Sequence, residues 1–100
     1  LVFLPVESQV CRHVYHLFVI RCKDRDGLVD LLVTKGVSCV IHYPVPVHLQ
    51  KAYADLGYKP GAFPVTDRVA KEIVSLPMYP ELTEEQIGYV CESVRAFVGR

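Results

Sequence analysis

The chain has 100 residues, enough for one domain with a single hydrophobic core. Its 11 basic and 11 acidic residues cancel, so no strong field favours binding to nucleic acid or to an anionic membrane. No apolar run reaches the roughly 18–20 residues of a membrane span, and Leu1–Leu4 are followed too soon by Pro5 and Glu7 for a signal peptide.

Apolar residues make up 51% of the chain, and the mean hydropathy is +0.24. This content is high for a short chain, so we expect part of the apolar surface to contact another domain or subunit. Of the four cysteines, Cys22, Cys39 and Cys91 lie in apolar patterns and none forms a C-x-x-C pair. Buried reduced thiols and a cytoplasmic location are therefore expected. Since the chain begins without Met, we also expect a fragment or a processed product.

The first third of the chain predicts one strand and one helix. Residues 1–13 contain a proline break and are expected to be irregular. His13–Cys22 is rich in β-branched and aromatic residues, which predicts a strand. The following helix is capped at Asp24 or Asp26 and ends at Gly36, a residue suited to the left-handed C′ position. The apolar face of this helix consists of Leu28, Leu31 and Leu32.

A second strand is predicted at Val37–Ile41, directly before a Pro-x-Pro segment that reads HYPVPVHLQ over residues 42–50. Proline fixes its own φ and pushes the preceding residue toward extended geometry. Tyr43–Pro46 is therefore expected to be stiff, extended and not helical. A short helix is predicted over 48–55 and a loop over 57–61.

The last third predicts a helix, an extended piece and a second helix. Pro64 can open the first helix, with an apolar stripe of Val65, Val69 and Ile73, and Val74–Tyr79 is expected to be extended. Thr83 and Gln86 form a capping box at the start of the final helix. Its apolar stripe consists of Ile87, Val90, Cys91, Val94, Phe97 and Val98. This order predicts an α/β (α+β) fold, a small sheet of about three strands with helices packed mainly on one face.

The Pro-x-Pro segment is the strongest candidate site, because it fixes polar rings on a loop at the end of a strand. His42 is a candidate for substrate contact, whereas a structural role is equally compatible with His48. These histidines and Cys39 lack the spacing of a zinc site, so no metal is predicted. No serine lies in a G-x-S-x-G elbow, no glycine-rich loop precedes a helix, and acids such as Asp67 are explained by helix starts. The residues alone show no catalytic constellation.

Several segments, in order, resemble the C-terminal part of the DegT/DnrJ/EryC1/StrS family of sugar aminotransferases, which are fold-type-I enzymes that use pyridoxal phosphate (PLP). The segments that carry the resemblance are Arg12–Arg21, Gly36–Gln50 with its H-Y-P-x-P-x-H-L-Q pattern, Ala52–Tyr58, Leu76–Thr83 and the final helix.

The resemblance implies that residues 1–100 are the C-terminal (small) domain of such an enzyme, with the large PLP-binding domain absent. The family transfers an amino group, usually from glutamate, to a nucleotide-linked keto sugar, and its members are homodimers. By resemblance, His42 and Tyr43 are expected to contact the substrate. Roles in shaping the loop are implied for Pro44, Pro46, His48 and Gln50.

The family's catalytic lysine lies in the absent domain, and none of the five lysines of this chain matches its motif. We therefore expect no catalytic residue in this chain, no PLP bound by it alone, and no activity without the rest of the enzyme. One alternative is a non-catalytic binding or dimerisation module derived from the family. Another is an unrelated small α/β protein with a metal or ligand site at His42 and His48.

Overall fold

A computed structural model describes residues 1–99 as a three-stranded antiparallel sheet with helices packed against it. The strands are β1 (Val2–Phe3), β2 (Phe18–Cys22) and β3 (Ile73–Leu76), and they lie in the order β1-β2-β3. The α-helices are α1 (Arg25–Thr34), α2 (Pro64–Glu72) and α3 (Glu84–Val98). Two short 3₁₀ helices cover Val47–Leu49 and Lys51–Leu56. The predicted fold class is confirmed.

The core lies between the sheet and α1. Ile20 of β2 and Val74 of β3 are paired across the sheet, and both are fully buried together with Leu28 and Leu32 of α1. α1 packs against β2 and β3, and α3 packs against α1. The half-buried residues that α3 adds to this core are Val90, Val94 and Phe97.

α1 begins and ends where its sequence predicts. The Asp24 carboxylate accepts a hydrogen bond from the Gly27 N–H at 3.3 Å, so Asp24 is the N-cap. Gly36 has a φ of +74°, its N–H donates to the Val33 carbonyl, and the Val37 N–H donates to the Leu32 carbonyl. This pair of bonds is a Schellman motif, which satisfies the last carbonyls of the helix.

The prediction of a strand at Val37–Ile41 was wrong, because the first residue of the segment belongs to the end of α1. Only Val40 pairs with β3, through two backbone hydrogen bonds with Ser75 of 3.2 and 2.8 Å. Val37 is buried in the core instead.

The N-terminal region also departs from its prediction. Val2 and Phe3, expected to be irregular, form β1 by pairing with Cys22 and Arg21 of β2. The strand predicted from His13 begins only at Phe18, because Tyr15 has a φ of +48° and its N–H donates to the His13 ring at 2.8 Å. Residues 13–17 therefore turn into β2 instead of extending it.

The helices α2 and α3 were predicted correctly, but only part of each predicted apolar stripe is buried. α2 opens at Pro64 and ends at Glu72, so Ile73 belongs to β3, and Val65 is exposed. In α3, the capping box is confirmed, with hydrogen bonds of 3.2 and 3.0 Å between Thr83 and Gln86. Its exposed stripe members are Ile87, Cys91 and Val98.

The one fully buried residue described in α3 is Ser93. Its hydroxyl donates to the Tyr89 carbonyl at 2.8 Å, which removes the cost of burying an unpaired polar group. Cys91 was predicted to be buried and is exposed, whereas Cys22 is buried and Cys39 half-buried; all four thiols are free. Within residues 1–99, no helix combines the length and the apolar character needed to cross a membrane.

Candidate functional site

The Pro-x-Pro segment leaves the sheet directly after Val40 pairs with Ser75, and His42 is fixed at this point. The Nδ1 atom of His42 lies 2.9 Å from Oγ of Ser75, whose residue is only 4% exposed. This hydrogen bond sets the orientation of the ring, because Ser75 lies in β3 opposite Val19 of β2 and is held to Val40 by two backbone hydrogen bonds. When the Ser75 hydroxyl donates to Nδ1, the Nε2 atom carries the proton and can donate to a ligand. Nε2 has no hydrogen-bond partner among residues 1–99.

Tyr43 presents most of its side chain to solvent. The residue is 72% exposed, and its ring stands edge-on to the His42 ring at 5.5 Å and 88°. The peptide bond between the two residues is cis. The two rings form an adjacent pair at the surface, one anchored to the sheet and one projecting from it.

Pro44 and Pro46 carry the chain from this pair to the first 3₁₀ helix. Residues 41–46 contain no helix or strand, as the two prolines predicted. Both prolines line a groove of about 490 Å³, and the opposite wall of this groove is formed by α2. The residues of α2 that face the groove are Pro64, Asp67, Arg68, Ala70 and Lys71.

His48 points to a different partner from His42. Its Nε2 atom lies 3.0 Å from Oδ1 of Asp67, and the two side chains are only 8% and 16% exposed. The other carboxylate oxygen, Oδ2, accepts a hydrogen bond from the Gly61 N–H at 2.6 Å. The His48 ring also stands edge-on to Phe63 at 4.8 Å.

Gln50 acts through its backbone in this structure. It lies between the two 3₁₀ helices, where its N–H donates to the Val47 carbonyl and its own carbonyl accepts from the Tyr53 N–H. The predicted site residues thus separate into two groups. His42 and Tyr43 lie beside β3, and His48 lies against α2. Within residues 1–99, no set of three or more side chains could hold a metal ion.

Two partner residues were missed from the sequence. Ser75 was considered only as a nucleophile, although its place in an apolar strand indicated burial and hence a need for a hydrogen-bond partner. Asp67 was explained as an acid at a helix start. It does lie in the first turn of α2, yet its carboxylate is directed to His48 and Gly61. No local sequence pattern predicts that Asp67 is half-buried, because its neighbour His48 belongs to a segment that is distant in sequence.

Cys39 lies next to the candidate site, just before Val40. Burial raises the pKa of the Cys39 thiol above its ordinary value, because the thiolate loses hydration. The neutral thiol therefore persists to higher pH than in an exposed cysteine, and Cys39 is suited to packing, not to nucleophilic attack.

The described residues do not fit PLP as a bound cofactor. Formation of a bond to PLP needs a lysine beside an anchor for the phosphate and a carboxylate for the ring nitrogen. All five lysines are exposed, and Lys71 shares a groove with the carboxylate of Asp67. Both oxygens of that carboxylate already face His48 and Gly61.

A larger cavity, about 1010 Å³, lies away from all of the predicted site residues. It separates the turn after α1, at Gly36–Ser38, from the first half of α3, and Pro77 and Tyr79 close one end. No histidine, cysteine or lysine lines it. The rings of His42 and Tyr43, with the groove beside Pro44 and Pro46, therefore remain the better candidate for a functional site.

A sequence profile of the DegT/DnrJ/EryC1/StrS aminotransferase family matches residues 2–95. The chain belongs to this family. A relative named erythromycin biosynthesis sensory transduction protein EryC1, from Saccharopolyspora erythraea, is 46% identical over 93 residues, which are 93% of this chain and 25% of that protein. A relative named dTDP-3-amino-3,4,6-trideoxy-alpha-D-glucose transaminase, from Micromonospora megalomicea, is 41% identical over 96 residues, or 95% of this chain and 26% of that protein.

Solved structures of this family contain the same fold. The crystal structure of DesV of S. venezuelae, in complex with a ketimine intermediate, superimposes with a TM-score of 0.95 at 37% sequence identity. The match covers 99% of this chain and 27% of DesV. The chain spans about a quarter of the length of the family members that it matches. It therefore corresponds to one part of such proteins.

Proposed function

We propose that residues 1–100 are the C-terminal, small domain of an aminotransferase that uses PLP and transfers an amino group from glutamate to a nucleotide-linked keto sugar. The large domain that binds PLP lies outside this chain. The family match over residues 2–95 and the relatives named as dTDP-amino-sugar transaminases support this reaction class. PLP, held by the other domain, would carry the amino group between donor and acceptor.

In this proposal the chain supplies one wall of the substrate site. The observation that carries the assignment is the His42 ring, which is anchored by buried Ser75 beside exposed Tyr43 and whose Nε2 has no hydrogen-bond partner within residues 1–99. Nε2 donates a hydrogen bond to an oxygen of the sugar nucleotide, and the Tyr43 ring covers an apolar face of the same ligand. Pro44 and Pro46 keep the loop stiff, so little entropy is lost when the ligand binds.

The proposed partners are the rest of the enzyme and a second subunit. Exposed apolar residues support these contacts, since the residues on either side of β1 include exposed Leu1, Leu4, Val6, Val10 and Val14. Four free thiols are compatible with the reducing cytoplasm, which we propose as the location.

An amino-transfer assay of the full-length protein tests the reaction class. The protein is mixed with glutamate and either a dTDP- or UDP-linked keto sugar, the same keto sugar without its nucleotide, or a simple keto acid. We expect 2-oxoglutarate to form rapidly only with the nucleotide-linked sugar. Equal or faster formation with the keto acid would contradict a sugar-nucleotide substrate.

A second candidate function is a non-catalytic binding or dimerisation module. It is favoured by one specific observation, the sensory name of the relative that is 46% identical. The same assay separates the two candidates, because a full-length protein of this second kind forms no 2-oxoglutarate with any acceptor.

A further inference from the structure

The contact between His48 and Asp67 joins three parts of the chain that are distant in sequence. His48 belongs to the 3₁₀ helix that follows the Pro-x-Pro loop, Asp67 lies in the first turn of α2, and Gly61 lies in the turn between them. Nε2 of His48 lies 3.0 Å from Oδ1 of Asp67, and Oδ2 accepts from the Gly61 N–H at 2.6 Å. Each carboxylate oxygen therefore has a polar neighbour, and Oδ2 accepts a regular hydrogen bond.

Burial makes this contact more consequential than a surface ion pair. The His48 side chain is 8% exposed and the Asp67 side chain 16% exposed, and neither Nε2 nor Oδ1 has another polar partner within residues 1–99. The two atoms lie close together but are not aligned for a regular hydrogen bond. Removal of Asp67 would leave Nε2 of His48 buried without a polar neighbour, and removal of His48 would do the same to Oδ1 of Asp67, which is costly.

Aromatic rings hold the histidine in place from the other side. The His48 ring stands edge-on to Phe63 at 4.8 Å, and Phe63 stands edge-on to Tyr58 at 5.1 Å. The ring can therefore move little without breaking contacts to the segment that precedes α2.

The position of Asp67 links this contact to the proposed substrate site. α2 ends at Glu72 and β3 begins at Ile73, so Asp67 and Ser75 belong to one continuous helix–strand unit. The Pro-x-Pro loop is attached to this unit at both ends, through His42 to Ser75 and through His48 to Asp67. The intervening residues, which include Tyr43 and the two prolines, are held between two fixed points.

We propose that His48 and Asp67 are a positioning pair that sets the orientation of His42 and Tyr43 toward the substrate. The proposal rests on the proposed function, because it assigns the substrate contact to the same loop. The pair does not touch the substrate. It acts by fixing the far end of the loop, so its loss weakens binding of the nucleotide sugar and leaves binding of the amino donor unchanged.

A double-mutant cycle in the full-length enzyme tests this role. The variants are His48→Gln, Asp67→Asn and the double variant, all of which retain polar groups of similar size. We expect each single variant to raise KM for the nucleotide sugar about threefold to tenfold, in the range of coupling between contacting residues. The KM for glutamate should stay unchanged. The double variant should be no worse than the more affected single variant, both in KM and in Tm.

Two further variants distinguish positioning from simple loss of stability. Val94→Ala removes half-buried core volume from α3, a helix that packs against α1, and should lower Tm without changing KM for the nucleotide sugar. His48→Phe preserves the ring beside Phe63 but removes the nitrogen atoms, and should raise KM more than His48→Gln does. If Val94→Ala raises the KM for the nucleotide sugar as much as the His48 and Asp67 variants do, at an equal loss of Tm, the positioning role is wrong.

Additive effects in the cycle would show that His48 and Asp67 do not act together and would overturn the pair itself. The His42→Ala variant separates this failure from that of the proposed function. If His42→Ala leaves the KM for the nucleotide sugar unchanged, the loop does not contact the substrate. If the changes in Tm are additive in the cycle, His48 and Asp67 are not coupled, and this conclusion does not depend on the identity of the substrate.

Discussion

At the scale of single residues, the candidate site depends on one buried hydroxyl. Ser75 is paired through its backbone with both β2 and Val40, so its side chain has a fixed position from which to hold the His42 ring. An imidazole with one nitrogen fixed and the other free is well suited to donate one directed hydrogen bond to a ligand. The site thus combines a rigid anchor with an exposed neighbour, Tyr43.

The sequence predicted which residues of the loop matter, but not what holds them. His42 and His48 were identified from the residues and from the family resemblance, whereas Ser75 and Asp67 lie 33 and 19 positions further along the chain. Such contacts depend on tertiary structure, because no local spacing places a serine of one strand beside a histidine of a distant loop. Burial of Ser75 was the available signal.

At the scale of elements, local chemistry defined the helices well. Asp24, Gly36, Pro64 and Thr83 each mark a helix boundary through a side chain or a backbone preference, and all four boundaries were found. The short strand β1 could not be found, because two residues carry no periodic pattern and pair only once β2 is formed. The strand predicted at Val37–Ile41 was wrong for a different reason. Its β-branched residues favour a strand, but the N–H of Val37 bonds to the Leu32 carbonyl at the end of α1.

The capping box of α3 gives a prediction at this scale. Thr83→Ala removes the hydroxyl that accepts from the Gln86 N–H, and we expect it to lower the free energy of unfolding by about 1 kcal/mol. The control is Thr66→Ala, the same substitution at an exposed position of α2. It should change the free energy of unfolding by less than about 0.5 kcal/mol. Urea unfolding measures both, and equal effects would contradict the cap.

At the scale of the whole molecule, the chain is more open than a self-sufficient domain of its length. Its radius of gyration is 15.5 Å, against about 13 Å for a typical domain of 100 residues. Val6 and Val10 are both 93% exposed. Together these features support the proposal that the chain packs against further protein.

The purified 100-residue chain should therefore self-associate through this apolar surface. Sedimentation at increasing concentration should show dimers or larger species, and the double variant Val6→Asp, Val10→Asp should shift the distribution toward monomer. The control Ser8→Asp, Gln9→Asp adds the same charge to the same segment without removing apolar area. A chain that stays monomeric throughout, or a control that acts like the valine variants, would contradict this expectation.

We propose that this chain contributes to substrate binding and that the rest of the enzyme supplies the cofactor chemistry. The most direct test is the steady-state kinetics of His42→Ala in the full-length protein, with exposed His16→Ala as the matched control. We predict that KM for the nucleotide sugar rises about tenfold, the effect of losing roughly 1.4 kcal/mol of binding. The KM for glutamate and the kinetics of His16→Ala should be unchanged. If His42→Ala leaves both KM for the nucleotide sugar and kcat unaltered, His42 does not belong to the substrate site.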